Sequence, residues 1–174
     1  MQAEAAPALV LAIAYWLHML ATVIWIGGLA SLAVIVLPAA RRSLDAAAYS
    51  SLLARMQVRL QQMGWFCLAL LGVTGMFQMS SHPAYGGFLS ISNNWAIAIF
   101  AKHAVIGLMV LVSAYVTWGI LPVMQRLALV RAAGRDVPHD QVLKLEQREV
   151  MMLRLNLALS AIVLLLTALA RSFS

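Results

Sequence analysis

The sequence predicts an all-α integral membrane protein built as an antiparallel four-helix bundle, and three observations carry that prediction. Of the 174 residues, 63% are hydrophobic and only 10% are charged, with a mean hydropathy of +0.89; a soluble domain of this length carries far more charge. Uncharged stretches cover residues 5–40, 60–101, 103–125 and 155–170, against the roughly 20 apolar residues a helix needs to cross the hydrocarbon core. The basic residues gather in two of the three connections between these stretches.

The first helix is expected over about 8–37. Its leading segment, MQAEAAPALV, carries Glu4 and no Lys or Arg. A secretory signal wants a basic front and a short apolar core, so this run reads as a retained helix. Pro38 closes it, as helix-ending prolines do. The connection RRSLDAAAYSSLLARMQVRLQQ has helical propensity and is expected to lengthen the second helix, about 60–80, below the membrane. The segment SHPAYGGFLSISNN, 81–94, is rich in Gly, Ser and Asn and is placed along the membrane surface. The third helix is expected over about 94–121, closed by Pro122. The stretch RLALVRAAGRDVPHDQVLKLEQREV breaks at Gly134 and Pro138 and then resumes helically. The fourth helix, about 151–171, spans if Arg154 snorkels to an interface. Residues 1–174 form one domain with no second domain and no internal repeat.

The net charge of +6 reads as topology rather than nucleic-acid binding. Arg41, Arg42, Arg55 and Arg59 flank the first connection, and Arg126, Arg131, Arg135, Lys144 and Arg148 the third. The positive-inside rule puts both in the cytoplasm and both termini on the periplasmic side. Asp45, Asp136, Asp140, Glu146, Glu149 and His139 fall in or beside the same connections and read as solvated faces. The single cysteine, Cys67, excludes an internal disulfide and a CxxCH haem attachment, and is expected to pack in helix two.

Two histidines lie within spans. In WLHMLATVIWIGGL, His18 stands some ten residues inside helix one; His103 stands some nine residues inside helix three. At the helical rise both sit roughly 14–15 Å below the outer boundary. An ionisable side chain there costs about 2–3 kcal/mol even on the milder insertion scales. Two imidazoles at one depth on two helices can grip a haem iron from both sides; the competing reading is a pair hydrogen-bonded across the bundle. Trp25 and Gly28 on helix one and Gly107 on helix three leave room for a flat ligand, though small residues also favour close helix packing. Lys102 either snorkels outward or pairs with a haem propionate or an anionic substrate. A second constellation, GMFQMSSHP, repeats Met76, Met79 and His82 at every third residue. Thioether and imidazole ligands suit Cu(I), while methionine is also an ordinary core filler. Asn156, Ser160 and Thr167 form a polar stripe on helix four, expected to hydrogen-bond between helices.

The first helix, with LHMLATVIWIGGL and Pro38, and the third, with WAIAIFAKHAVIGLMVL, resemble the copper-resistance protein D domain. That resemblance implies a bacterial inner-membrane protein associated with copper uptake or resistance. It extends to the related HemJ-type protoporphyrinogen oxidases, which implies haem b bound with roles for His18 and Lys102. Those oxidases typically show an Asn-Glu pair at the start of the last helix; here Asn156 is followed by Leu157. The leading expectation is a cytochrome b-like bundle with His18 and His103 as axial ligands. It would pass electrons to a quinone, a copper ion or a partner subunit in the lipid bilayer. The alternatives are a copper permease receiving its ion at Met76, Met79 and His82, the porphyrinogen oxidase, and a structural subunit of an oligomer or larger complex.

Overall fold

The structure, a computed structural model, describes residues 8–83, 85–88, 91, 93–132 and 138–173. It is all-helical among these residues, and four long helices carry the chain: α1 (Ala8–Ser43), α2 (Ala46–Ser80), α3 (residues 94–132) and α4 (His139–Ser172). Each is long and apolar enough to cross a membrane. Of the expected breaking and flanking residues, Glu4, Gly134, Asp136 and Arg135 lie outside the described residues.

Pro38 and Pro122 do not end their helices. Proline lacks an N–H and its ring pushes on the carbonyl four residues back, which ordinarily breaks or kinks a helix. Here each is preceded by a wider π turn, Ser31–Val36 in α1 and Val116–Ile120 in α3. Such a turn absorbs the mismatch, and the helices run on to Ser43 and Ala132. The expected ends at 37 and 121 are therefore short by about two turns or more. Helix two does lengthen as expected, starting at Ala46, and the helical stretch expected after Pro138 begins at His139 and runs on into the fourth span.

The ends are set by ordinary caps. Asp45 Oδ1 accepts the Ala48 N–H at 2.8 Å to start α2, and Asn93 Oδ1 accepts that of Ala96 at 2.8 Å to start α3. A cap of this kind is worth about 0.5–2 kcal/mol. In the connection between them Gly87 takes φ +115°, the left-handed region open to glycine.

Helix α1 packs chiefly on α2 and α3 chiefly on α4, with lighter contacts from α1 to α4 and from α2 to the far part of α3. On α1 the buried positions Ala21, Trp25, Leu29 and Leu32 recur at helical spacing. They meet Leu53 and Cys67 of α2, Met109 and Val112 of α3, and Leu153 and Leu159 of α4 in one central core. Cys67 is buried there, as expected for a packing residue. Near the connection between α2 and α3, Met79, Trp95, Ala96, Ala98 and Ala170 form a second cluster. No more than a third of any span's most apolar window is buried inside the bundle. The remaining apolar faces, Val23, Phe66, Leu111 and Trp118 among them, need lipid rather than water around them.

Candidate functional site

His18 and His103 lie on α1 and α3 toward the end of the bundle that carries the 81–93 connection, and both rings are partly buried. They do not bond to each other. His18 Nδ1 lies 2.9 Å from Thr74 Oγ1 on α2. The Thr74 hydroxyl hydrogen is already directed at the Leu70 carbonyl, 2.6 Å away, so His18 Nδ1–H is the donor. His103 Nδ1 lies 2.7 Å from the carbonyl of Ile99 on its own helix. A carbonyl only accepts, so again Nδ1–H donates. Both imidazoles are thereby held as Nδ1–H tautomers with the Nε2 lone pair uncommitted, the arrangement that metal-ligating histidines adopt.

Local sequence explains how α1 and α2 hold His18. Gly75 lies against the ring: a Cβ there would stand 3.2 Å from His18 Cε1. One turn further out, Gln78 Nε2 donates to the Ala14 carbonyl at 3.1 Å, a second tie between the same helices. His103 meets the edge of the Phe88 ring, with centroids 5.2 Å apart and planes at 67°. Lys102 is partly buried, and its ammonium lies within electrostatic reach of His18.

The other expected site residues divide. A Cβ on Gly107 would meet nothing within 4 Å, so that face of α3 is open. Gly28 instead sits tightly under α2, where an added Cβ would stand 3.0 Å from Leu60 Cδ1. Trp25 is buried in the central core, its Nε1 near Gly64. These two residues serve the packing of α1 on α2, deeper than the histidines. The three residues expected to hold copper have different surroundings. Met76 is 60% exposed, Met79 is buried beside Trp95, and His82 stacks on the Trp95 ring at 4.2 Å with planes 7° apart.

Two polar groupings escaped the sequence reading. Midway along the bundle, Trp25, Gln61, Gly64, Trp65, Ser113 and Asn156 line a cavity of about 10 Å³, together with Leu29 and Leu60. That is room for one water. Around it Gln61 Nε2 donates to the Ser113 carbonyl and to Thr117 Oγ1. Trp65 Nε1 donates to Thr117 Oγ1 at 3.0 Å, and Asn156 Nδ2 to Ser113 Oγ at 3.0 Å. The polar stripe on helix four therefore splits: Asn156 reaches another helix, while Ser160 and Thr167 donate to carbonyls of their own. Nearer the basic connections, Glu146 and Glu149 are buried rather than solvated, which corrects their reading as a surface face. A signal for this was present, since positions 149, 153, 156 and 160 share one helical face.

No family model, no curated protein and no solved structure matches the chain.

Proposed function

We propose that this protein is a membrane cytochrome of the copper-resistance protein D type, seated in the bacterial inner membrane with its basic connections in the cytoplasm. In this reading it holds haem b between His18 of α1 and His103 of α3. The observation that carries the reading is the matched state of the two rings: each commits Nδ1 to a hydrogen bond and keeps Nε2 for a ligand. The residues fit the group further in that Gly107 faces open space and Lys102 offers a cation for a propionate. Bound haem would supply reversible one-electron transfer. The chain's own part is to orient His18 through Thr74, fix His103 through the Ile99 carbonyl, and keep water from the site with the apolar flanks of α1 and α3. The electron partner in this reading is a quinone, a copper ion or a further subunit.

A second reading, the porphyrinogen oxidase, draws on the nearness of Lys102 to His18. The two are separated by reduced-minus-oxidised visible spectra of the purified protein and of His18→Ala and His103→Ala. Loss of the haem bands in both variants supports the cytochrome. A colourless wild type from haem-replete cells, or haem that survives both substitutions, overturns it. The oxidase instead requires rescue of a strain blocked in haem synthesis, abolished by Lys102→Ala.

A further inference from the structure

All the buried side-chain polar atoms left without a hydrogen-bond partner among the described residues lie between the basic end of the bundle and its middle. They are Tyr49 Oη, Gln57 Oε1, both carboxyl oxygens of Glu149 and Asn156 Oδ1. Every one of these atoms accepts, and only the tyrosine hydroxyl also donates. What this region lacks is hydrogen. Glu149 is the extreme case, 1% exposed with neither oxygen satisfied. An ionised carboxylate in such a place is a bare buried charge that no neighbouring donor offsets. The acid form carries no charge and turns one acceptor into a donor.

A cavity reaches the acidic residue one turn before it. A cavity of about 420 Å³ opens between the first turns of α2, the last turns of α3 and the start of α4, lined by Ser50, Arg55 and Glu146 among mostly apolar residues. Glu146 borders the cavity and accepts a hydrogen bond from Ser50 Oγ. Glu149 follows one turn later on the same helix face. Other charged or titratable groups turned toward this end are Tyr49 from α2, Arg41 of α1 lying 5.6 Å over the Tyr49 ring, and Arg55 at the cavity wall. None of them donates to Glu149.

We propose that Glu149 is a proton-binding site, loaded from the basic side of the membrane through the Ser50–Arg55–Glu146 cavity. Loading is a plain transfer: a hydronium ion in the cavity gives its proton to Glu146, which passes one to a Glu149 oxygen, with no electron moved. The site stands apart from the histidine pair and from the haem reading, so either can fail without the other.

The test uses the intact wild-type chain in native membranes, treated with dicyclohexylcarbodiimide, a lipid-soluble reagent that adds to protonated carboxyls, with adducts mapped by mass spectrometry. The proposal expects an adduct on Glu149. Its yield should fall about tenfold per pH unit on the alkaline side of the titration, as the proton-bearing fraction falls. Glu149→Gln should remove the adduct, and Glu146→Gln should move the alkaline fall to lower pH by removing the neighbouring carboxylate. The buried Cys67 staying inert to thiol reagents confirms that each variant is folded. Absence of the adduct, or a yield on Glu149 independent of pH, overturns the proposal.

Discussion

Thr74→Val isolates the tie that orients His18. Valine keeps the shape of threonine and removes only the hydroxyl. The Leu70 carbonyl loses a side-chain donor but keeps its helical partner, so the net loss falls on the 2.9 Å bond from His18 Nδ1. Interhelical hydrogen bonds of this sort in membrane proteins average ~0.6 kcal/mol and reach ~1.7. A ring N–H left unpaired in a fully buried site adds about 1–3 kcal/mol, and the partial burial of His18 puts its share at the low end. The sum is about 1–2 kcal/mol, a factor of about 5–30 in the folding equilibrium. If His18 holds haem iron, loss of the orienting partner should also weaken haem retention about 10–100-fold. Unfolding by denaturing detergent reads the first effect and competitive haem transfer to an acceptor protein the second, with Thr74→Ser as the control that keeps the hydroxyl. Equal behaviour of Val and wild type, or an equal loss in the Ser control, refutes the assigned role.

Substitutions at three further positions extend the test. Gly75→Ala gains up to ~1 kcal/mol of helix propensity but sets a Cβ 3.2 Å from His18 Cε1. Stability should then stay within about 1 kcal/mol of wild type while the ring must give way; under the haem reading the visible spectrum shifts, and an unchanged spectrum counts against His18 as a ligand. Ser160 is 0% exposed, so Ser160→Leu should cost about 1–3 kcal/mol by overpacking whereas Ser160→Ala stays within about 1.5 kcal/mol; equal stability of the two by detergent unfolding would contradict the packing. Asn156→Ala removes the bond to Ser113 Oγ and should cost about 0.5–2 kcal/mol in the same assay, with no loss of haem, because it lies deeper than the histidines.

The four spans were legible because lipid imposes one rule, about twenty uncharged residues per crossing, and three of the chain's uncharged stretches meet it, while the fourth, 155–170, falls short and needs Arg154 to reach an interface. Helix ends were less legible. A proline read in isolation means termination, and nothing local in SLAVIV or VTWGI announces a π turn that lets the helix continue. The paired depth of His18 and His103 came from counting along helices. The hydrogen bonds that give the pair a chemical state did not, since Thr74 stands 56 residues from His18 and is joined to it only by helix packing. Glu146 and Glu149 were misread for a related reason: charge in a connecting stretch ordinarily means water. The same-face run 149, 153, 156, 160 outweighs that presumption here, because one side of α4 stays inside the bundle from the acidic pair to the central cavity.

The two π turns also show how the polar middle of the bundle is held open. Ser31 and Val116 each begin a π turn thirteen residues past a histidine, His18 and His103, and each turn leads into a proline, Pro38 or Pro122. The chain carries no sequence repeat, yet the first helix of each hairpin is widened at the same spacing from its histidine. In α3 the widening has a use. The Ser113 carbonyl at its edge accepts from Gln61 Nε2 of α2 as well as from Thr117 Oγ1 of its own helix. Thr117 Oγ1 in turn accepts from Gln61 and Trp65. Pro122→Ala restores an N–H and removes the ring clash, which in an isolated helix is worth ~3 kcal/mol. Annealing the π turn into α geometry would remove one residue from the turn and rotate the helix on one side of it by about 100°, tearing Thr117 from Gln61 and Trp65. These contacts oppose the gain, so Pro122→Ala should stabilise by well under ~3 kcal/mol, and the full gain should emerge only when Gln61→Leu is added. If Pro122→Ala alone yields the full gain, proline causes the π turn by itself and the polar contacts merely follow it. If the double variant gains nothing further, the contacts carry no restraint. The prediction thus separates a defect forced by one residue from a turn shaped by the cross-helix contacts it serves.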